Sequence, residues 1–178
     1  SLADFDVQEG AVRYGLGAVR NIGLAAMEQV VAAREAEGPF RDLEDFASRI
    51  DPKSINKRLY ENLARAGALD QLEPNRARAL AAADAVLGAA QRAGEDRAQA
   101  QASLFGDAAE PARLSLPQAA PWSVQERLDQ EFAALGAYLS GHPLEDLRGA
   151  LERKQVVFAE ALRHRVAPEG AAVFRMAG

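Results

Sequence analysis

Leu16-Gly17-Ala18-Val19-Arg20-Asn21-Ile22-Gly23-Leu24-Ala25-Ala26 is the stretch on which the fold turns. Its first residues predict a short helix ending near Arg20. Gly23 then permits a tight turn with positive φ. A new helix follows at once, and the first N–H groups of any helix lack acceptors within it, so here they point back into the turn. Ile22 supplies an apolar side chain that pins the turn into a core. Helix, pinned glycine turn and helix together make a helix-hairpin-helix. Its turn N–H groups and the positive end of its second helix form a nest that fits a phosphate and needs no base-specific side chain. An ordinary αα-hairpin uses a glycine turn equally well, so this segment alone leaves both readings open.

A weaker second copy runs Asn62-Leu63-Ala64-Arg65-Ala66-Gly67-Ala68-Leu69, again helix, glycine turn and apolar pin, with a further helix after Pro74-Asn75. Only Gly67 remains of the turn glycines. The two copies are joined by a segment near 42–50. Tandem hairpins with a connector grip both strands of a duplex across the minor groove, through contacts that position a protein without reading sequence. The candidate DNA contacts are Arg20, Asn21, Ile22 and Gly23 in the first copy. Lys57, Arg58, Arg65 and Gly67 are those of the second, where the cations make up for a weaker backbone nest.

Outward from the hairpins the pattern is mainly helical. Leu24, Met27 and Val31 mark one face of a helix over 24–36, stopped by Gly38-Pro39. Ile55, Leu59 and Leu63 mark the next, ending at Gly67. Asn75 caps a third, with Leu80, Ala83, Leu87 and Ala90 on its apolar face. From Ala93 to Pro121 periodicity is lost among Gly, Pro, Gln, Ala and acids, which predicts a flexible linker. Ser123-Val124-Gln125-Glu126 reads as a capping box that opens a helix with Val124, Leu128, Phe132, Leu135 and Leu139 on its face. Gly141-His142-Pro143 breaks it, and a short helix follows over 144–154. Val156-Val157-Phe158 and Ala172-Val173-Phe174 are short β candidates, too few to close a sheet alone. The expected fold is therefore mainly α: a tandem helix-hairpin-helix with flanking helices, a linker and a short C-terminal β segment.

Composition narrows the function classes. The 178 residues include no cysteine, which excludes a disulfide framework, a thiolate metal site and a cysteine nucleophile. The two histidines, His142 and His164, are too far apart in sequence to suggest a His-rich metal site. No apolar run approaches the roughly 20 residues that span a bilayer. Residues 1–10 carry three acids and no basic residue, unlike a signal peptide. The net charge of −5 argues at first against nucleic acid, yet the acid is unevenly placed. Residues 1–10 carry −3, residues 11–92 carry +1 and residues 93–178 carry −3. Between Lys53 and Arg78 six basic residues face three acids, and screening confines each charge to about 8–10 Å. Such a run is also what a solvated helix face looks like.

Four ordered motifs carry a family resemblance. Arg13-Tyr14-Gly15-Leu16-Gly17-Ala18-Val19-Arg20-Asn21-Ile22-Gly23 is the first, and Gly38-Pro39-Phe40-Arg41-Asp42-Leu43-Glu44-Asp45-Phe46 the second. Asn56-Lys57-Arg58 running on to Ala66-Gly67-Ala68-Leu69-Asp70 is the third. Leu135-Gly136-Ala137-Tyr138-Leu139-Ser140-Gly141-His142-Pro143-Leu144 is the fourth. Together they resemble the bacterial DNA polymerase III alpha subunits over nearly the whole chain. The resemblance implies the end of the fingers region at 1–10 and the DNA-binding tandem hairpin domain at 11–92. It implies the linker at 93–121, a helical segment at 122–155 and the start of an OB-fold region at 156–178. It further implies that the catalytic carboxylates and their Mg²⁺ belong to a palm outside this chain. The chain would then be a non-catalytic, cofactor-free piece of a cytoplasmic, nucleoid-associated polymerase within its holoenzyme. Asp42, Glu44 and Asp45 are the densest acidic cluster, but on a connecting helix two of the three would face water.

Gln101-Ala102-Ser103-Leu104-Phe105 lies in the expected linker, where large apolar residues are out of place. It resembles the bacterial sliding-clamp binding motif that the family carries there. Leu104 and Phe105 would enter an apolar groove, with Gln101 and Ser103 beside them and the Gln101 amide bonded at the groove's edge. The implied partners are thus primer–template duplex, the β sliding clamp and the rest of the holoenzyme, with no membrane. Two other classes stay in view. One is a protein-interaction scaffold whose hairpins are only packing. The other is a free-standing repair enzyme, which would need a catalytic Lys or Asp beside the hairpin. His142 reads as a structural helix-end residue and Trp122 as a packing anchor.

Overall fold

A computed structural model describes residues 4–8, 10–20, 22–102, 113–158 and 174–176. Residues 1–138 and 139–178 form two compact units. The first opens with a small antiparallel hairpin that the sequence reading did not foresee. Its strands are β1, Asp6–Gln8, and β2, Ala11–Arg13, paired Val7 to Val12. A 3-10 turn over Leu16–Ala18 follows, then α1, Leu24–Glu37, which ends at Gly38 before Pro39 as expected.

Three helices build the centre, each started by a short polar side chain that accepts from a free N–H of the first turn. Asp42 caps α2, Leu43–Arg49, accepting from Asp45 N at 2.8 Å. Asn56 caps α3, Lys57–Arg65, at 2.9 Å, and Asn75 caps α4, Arg76–Ala81, at 3.2 Å. The predicted third helix is divided at Ala82, beyond which α5 runs Ala83–Ala102. α3 packs on α4, α5 and α6 (Val124–Leu135), and α5 lies along α2. Ile55, Leu59 and Leu63 are buried as their spacing predicts, together with Phe46, Ile50, Val86 and Ala90. Tyr60 is fully buried on α3 and donates its hydroxyl to the Ala79 carbonyl at 3.1 Å. Burial, with the Glu73 charge, pushes its phenol pKa upward, so the hydroxyl stays a donor.

Several expectations are corrected here. The linker does not begin at Ala93, because α5 continues through Ala102. Ala, Gln, Arg and Glu are good helix formers without an apolar face. The far end of α5 is also anchored, since Arg97 Nη2 donates to the Ile50 carbonyl at 3.0 Å. Residues 113–121 form no helix or strand yet are held: Leu114 and Leu116 pack on the core, and Asn75 Nδ2 donates to the Ala119 carbonyl at 2.8 Å. On α1 the buried face is Ala26, Met27 and Val30, and Leu24 is exposed. On α6 the Ser123–Glu126 capping box is present, but Val124 and Phe132 are exposed. The buried positions are Leu128, Glu131, Ala134 and Leu135, because a cation waits for Glu131 inside. α6 therefore belongs to the hairpin unit, and the boundary expected at 122 falls after Tyr138.

In the second unit α7 spans Arg148–Arg153, preceded by turns rather than helix from Leu144. His142 Nδ1 accepts from Leu144 N at 3.1 Å, a turn-forming bond. Val157 N donates to the Arg175 carbonyl at 2.8 Å, a single backbone bond at the two expected β segments, which form no strand among the described residues. Ala172 and Val173 lie outside the described residues.

Candidate nucleic-acid interface

The first turn is built by its backbone. Val19 is buried against Ala134 and Leu135, and Ile22 N donates back to the Val19 carbonyl at 3.3 Å. Ile22 is partly buried and touches both apolar clusters, the pin that its position predicts. Gly23 departs from expectation. Its φ is −78° and its ψ 133°, so the turn uses no positive φ there. The 3-10 turn and the Val19–Ile22 bond make the reversal, and Gly23 takes the extended conformation normal for an N-cap. A Cβ at Gly23 would meet no atom within 4 Å, so the space above it is open. Asn21 lies outside the described residues.

The first turn of α1 divides its donors into bonded and free. Ala26 N and Met27 N bond to the Gly23 carbonyl at 3.1 and 3.4 Å. The N–H groups of Gly23, Leu24 and Ala25 have no acceptor among the described residues, and all three residues are exposed. α2, α3, α4 and α6 each have a side-chain cap, whereas α1 has none and carries no acid in its first turn. Its N-terminal partial charge, about half a unit, is left uncompensated.

Arg20 is exposed beside this terminus, and its backbone is held at both ends. Its N–H donates to the Ala134 carbonyl at 2.8 Å, and its carbonyl accepts from Asn62 Nδ2 at 2.8 Å. Its guanidinium lies against Gly136, the left-handed C-cap of α6. Arg58 is exposed and forms no ion pair among the described residues. It lies one helical turn before Asn62, on the side of α3 that meets Arg20. Lys57 is exposed and bonded to Asp84 at 2.8 Å, a bond that raises its pKa.

The second copy is closed. Gly67 does take the positive φ, +76°, but the Arg76 guanidinium lies over it. Arg76 bonds Asp70 at 2.8 Å and Glu131 at 3.1 Å. The turn's N–H groups are used internally: Gly67 N to Ala64 O, Ala68 N to Leu63 O, Asp70 N to Gly67 O. Arg65 is three-quarters buried and donates to Gln130, Asn62 and Glu61 at 3.0, 3.2 and 3.3 Å. The structure thus brings Arg20, Ile22 and Gly23 together and turns Arg65 and Gly67 inward. Asn62, only 7% exposed, belongs to this arrangement although it carries no phosphate-binding pattern in the sequence. A lone amide between Leu59 and Leu63 was its signal.

The acidic cluster serves the fold. Asp42 caps α2, Glu44 accepts from Leu114 N, and Asp45 pairs with Arg41 and Arg49. No group suited to hold a metal ion occurs among the described residues. No helix of the described residues is long and apolar enough to cross a membrane. Of the clamp-like peptide, Gln101 and Ala102 close α5, and Ser103, Leu104 and Phe105 lie outside the described residues.

Known proteins share this arrangement of sequence. A family described as a helix-hairpin-helix motif matches residues 1–79. DNA polymerase III subunit alpha of Caulobacter vibrioides is 49% identical over 177 residues, 99% of this chain and 15% of that protein. The chain belongs to the DNA polymerase III alpha family. The Vibrio cholerae subunit is 41% identical over 146 residues, 80% of this chain and 13% of its own length. That of Escherichia coli K12 is 37% identical over 148 residues, 82% of this chain and 13% of its own. The chain therefore spans about a seventh of the length of the curated relatives it matches.

Proposed function

We propose that this segment of a polymerase III alpha chain holds primer–template duplex through backbone phosphates, without reading base sequence, during DNA replication. The observation that carries the reading is the uncapped start of α1. Three N–H groups on exposed residues, without acceptors among the described residues, an open volume over Gly23 and no acid in the first turn of α1 suit a phosphate oxygen. Arg20 and Arg58 add charge on the same side, and Lys57 exchanges Asp84 for phosphate at little cost, its ion pair being exposed. The net charge of the chain is no obstacle, because these donors are local and largely backbone. Catalysis and its Mg²⁺ belong, in this reading, to other parts of a bacterial, cytoplasmic polymerase.

Measuring duplex affinity against salt for the full chain tests this. Gly23→Pro is the informative variant, because its φ of −78° suits proline and its N–H is lost. Affinity that is independent of salt, or unchanged in Gly23→Pro, rejects the reading and leaves a protein-interaction scaffold.

The same proposal places a sliding-clamp contact at Gln101, Ser103, Leu104 and Phe105, on the strength of the pentapeptide. Adjacent Leu and Phe anchors suit an apolar groove, and simultaneous DNA contact raises their effective strength. Replacing Leu104 and Phe105 by Ala should abolish clamp capture and leave duplex affinity unchanged. Capture that survives removes the clamp role alone.

A further inference from the structure

We infer that Asn62, a buried residue of the second hairpin, is the positioning residue of the first: it sets the angle at which the Gly23–Ala25 donors meet phosphate. The inference rests on the phosphate reading above and assigns the second hairpin a different task from the first. Its turn offers no open nest, since the Gly67, Ala68 and Asp70 N–H groups are bonded internally and Arg76 lies over Gly67. Its helix α3 instead reaches across to Arg20.

The geometry is specific. Asn62 Nδ2 donates to the Arg20 carbonyl at 2.8 Å, and Asn62 Oδ1 accepts from Arg65 Nη1 at 3.2 Å. The two bonds fix which end of the amide faces which partner, because turning it over would set donor against donor and acceptor against acceptor. Arg65 is in turn held by Gln130 Oε1 at 3.0 Å and Glu61 Oε2 at 3.3 Å. A chain of bonds therefore runs from α6 through Arg65 and Asn62 to the peptide three residues before Gly23. The Arg20 carbonyl, partly buried, loses its partner when Asn62 is replaced, and the turn would rotate to find water. Rotation there re-aims the N–H groups that follow. Arg65, read from sequence as a phosphate contact, acts in this scheme by holding Asn62.

Two substitutions separate positioning from general stability. Asn62→Asp keeps the acceptor for Arg65 but cannot donate to Arg20. Asn62→Leu removes both bonds without adding charge. Each should weaken duplex binding by the full chain about tenfold, the scale of losing the Asn62–Arg20 hydrogen bond that both variants lack. The amide resonances of Ile22 to Ala25 should move in both. In Asn62→Asp combined with Gly23→Pro, the loss should be smaller than the product of the two single losses, because both act through one turn. Wild-type affinity in Asn62→Leu, multiplicative losses, or unmoved amides at 22–25 would overturn the inference. If Asn62→Leu does not fold, the Asn62→Asp resonances and the double variant decide. A wild-type chain that binds no duplex rejects the phosphate reading itself, while the amide shifts still report whether Asn62 holds the turn.

Discussion

Arg76 covers Gly67 with its guanidinium and, with the same group, reaches the buried Glu131 at 3.1 Å. One side chain thus seals the second glycine turn and fastens α6 to α4. Arg76→Met should lower stability by about 3–5 kcal/mol, because it removes the cation paired with the buried Glu131 carboxylate. Gly67→Ala should cost at least the 1–2 kcal/mol of a left-handed alanine, with the displaced arginine in addition. Urea unfolding of the full chain measures both. Near-native midpoints would show that the seal contributes little.

Gly23 should separate stability from binding. Its extended N-cap backbone and empty surroundings accept a side chain, and Asp is a better cap than Gly by a few tenths of a kcal/mol. Gly23→Asp should therefore raise the melting temperature slightly and abolish duplex binding, since its carboxylate takes the phosphate's place. Thermal melts and duplex titrations on one sample check the opposite signs. Binding that persists would place phosphate elsewhere.

Arg58 and Arg65 should respond differently to salt. Arg58 is exposed and unpaired among the described residues, so Arg58→Ala should reduce the slope of log affinity against log salt by about 1. Arg65 is turned inward, so Arg65→Ala should lower affinity with an unchanged slope and also lower the melting temperature. Equal slope changes in both would refute this division.

Asp45 should govern the acid limit of the hairpin unit. Burial alone would raise its pKa, but the Arg41 N–H and guanidinium, with Arg49, outweigh burial and hold the carboxyl below its ordinary value. A lowered folded value means stability that is present above the unfolded pKa, about 3.9, and lost as pH falls through the folded one. Asp45→Asn should accordingly be less stable than wild type at pH 7, and the gap should close below about pH 4. A gap constant with pH would assign the loss to another cause.

The elements legible in the sequence were those with a local cause. Gly38-Pro39 ends α1, Asn75 and Ser123 start helices, and Leu59 and Leu63 show their spacing. What escaped depends on partners distant in sequence. Nothing near Glu131 announces that Arg76 will meet it, so an apolar count placed Leu128 and Leu135 correctly but put Val124 and Phe132 beside them on the buried face of α6. The end of α5 escaped because Arg97 finds the Ile50 carbonyl 47 positions away. Gly23 was read as a steric necessity, although its φ is ordinary. What its missing side chain provides is empty space, and a turn pattern cannot distinguish the two. Asn62 was legible only as an anomaly, since its partner is a backbone carbonyl, which carries no residue signature.

Both peptide groups of Arg20, its N–H on Ala134 and its carbonyl on Asn62, are already engaged in the folded chain. The backbone leading into the donors is thereby ordered before any ligand arrives, and its conformational entropy is lost on folding rather than on association. A contact made by such a rigid surface has little to gain from adjusting to one base sequence over another. It can form and dissolve at each step of a moving duplex without refolding.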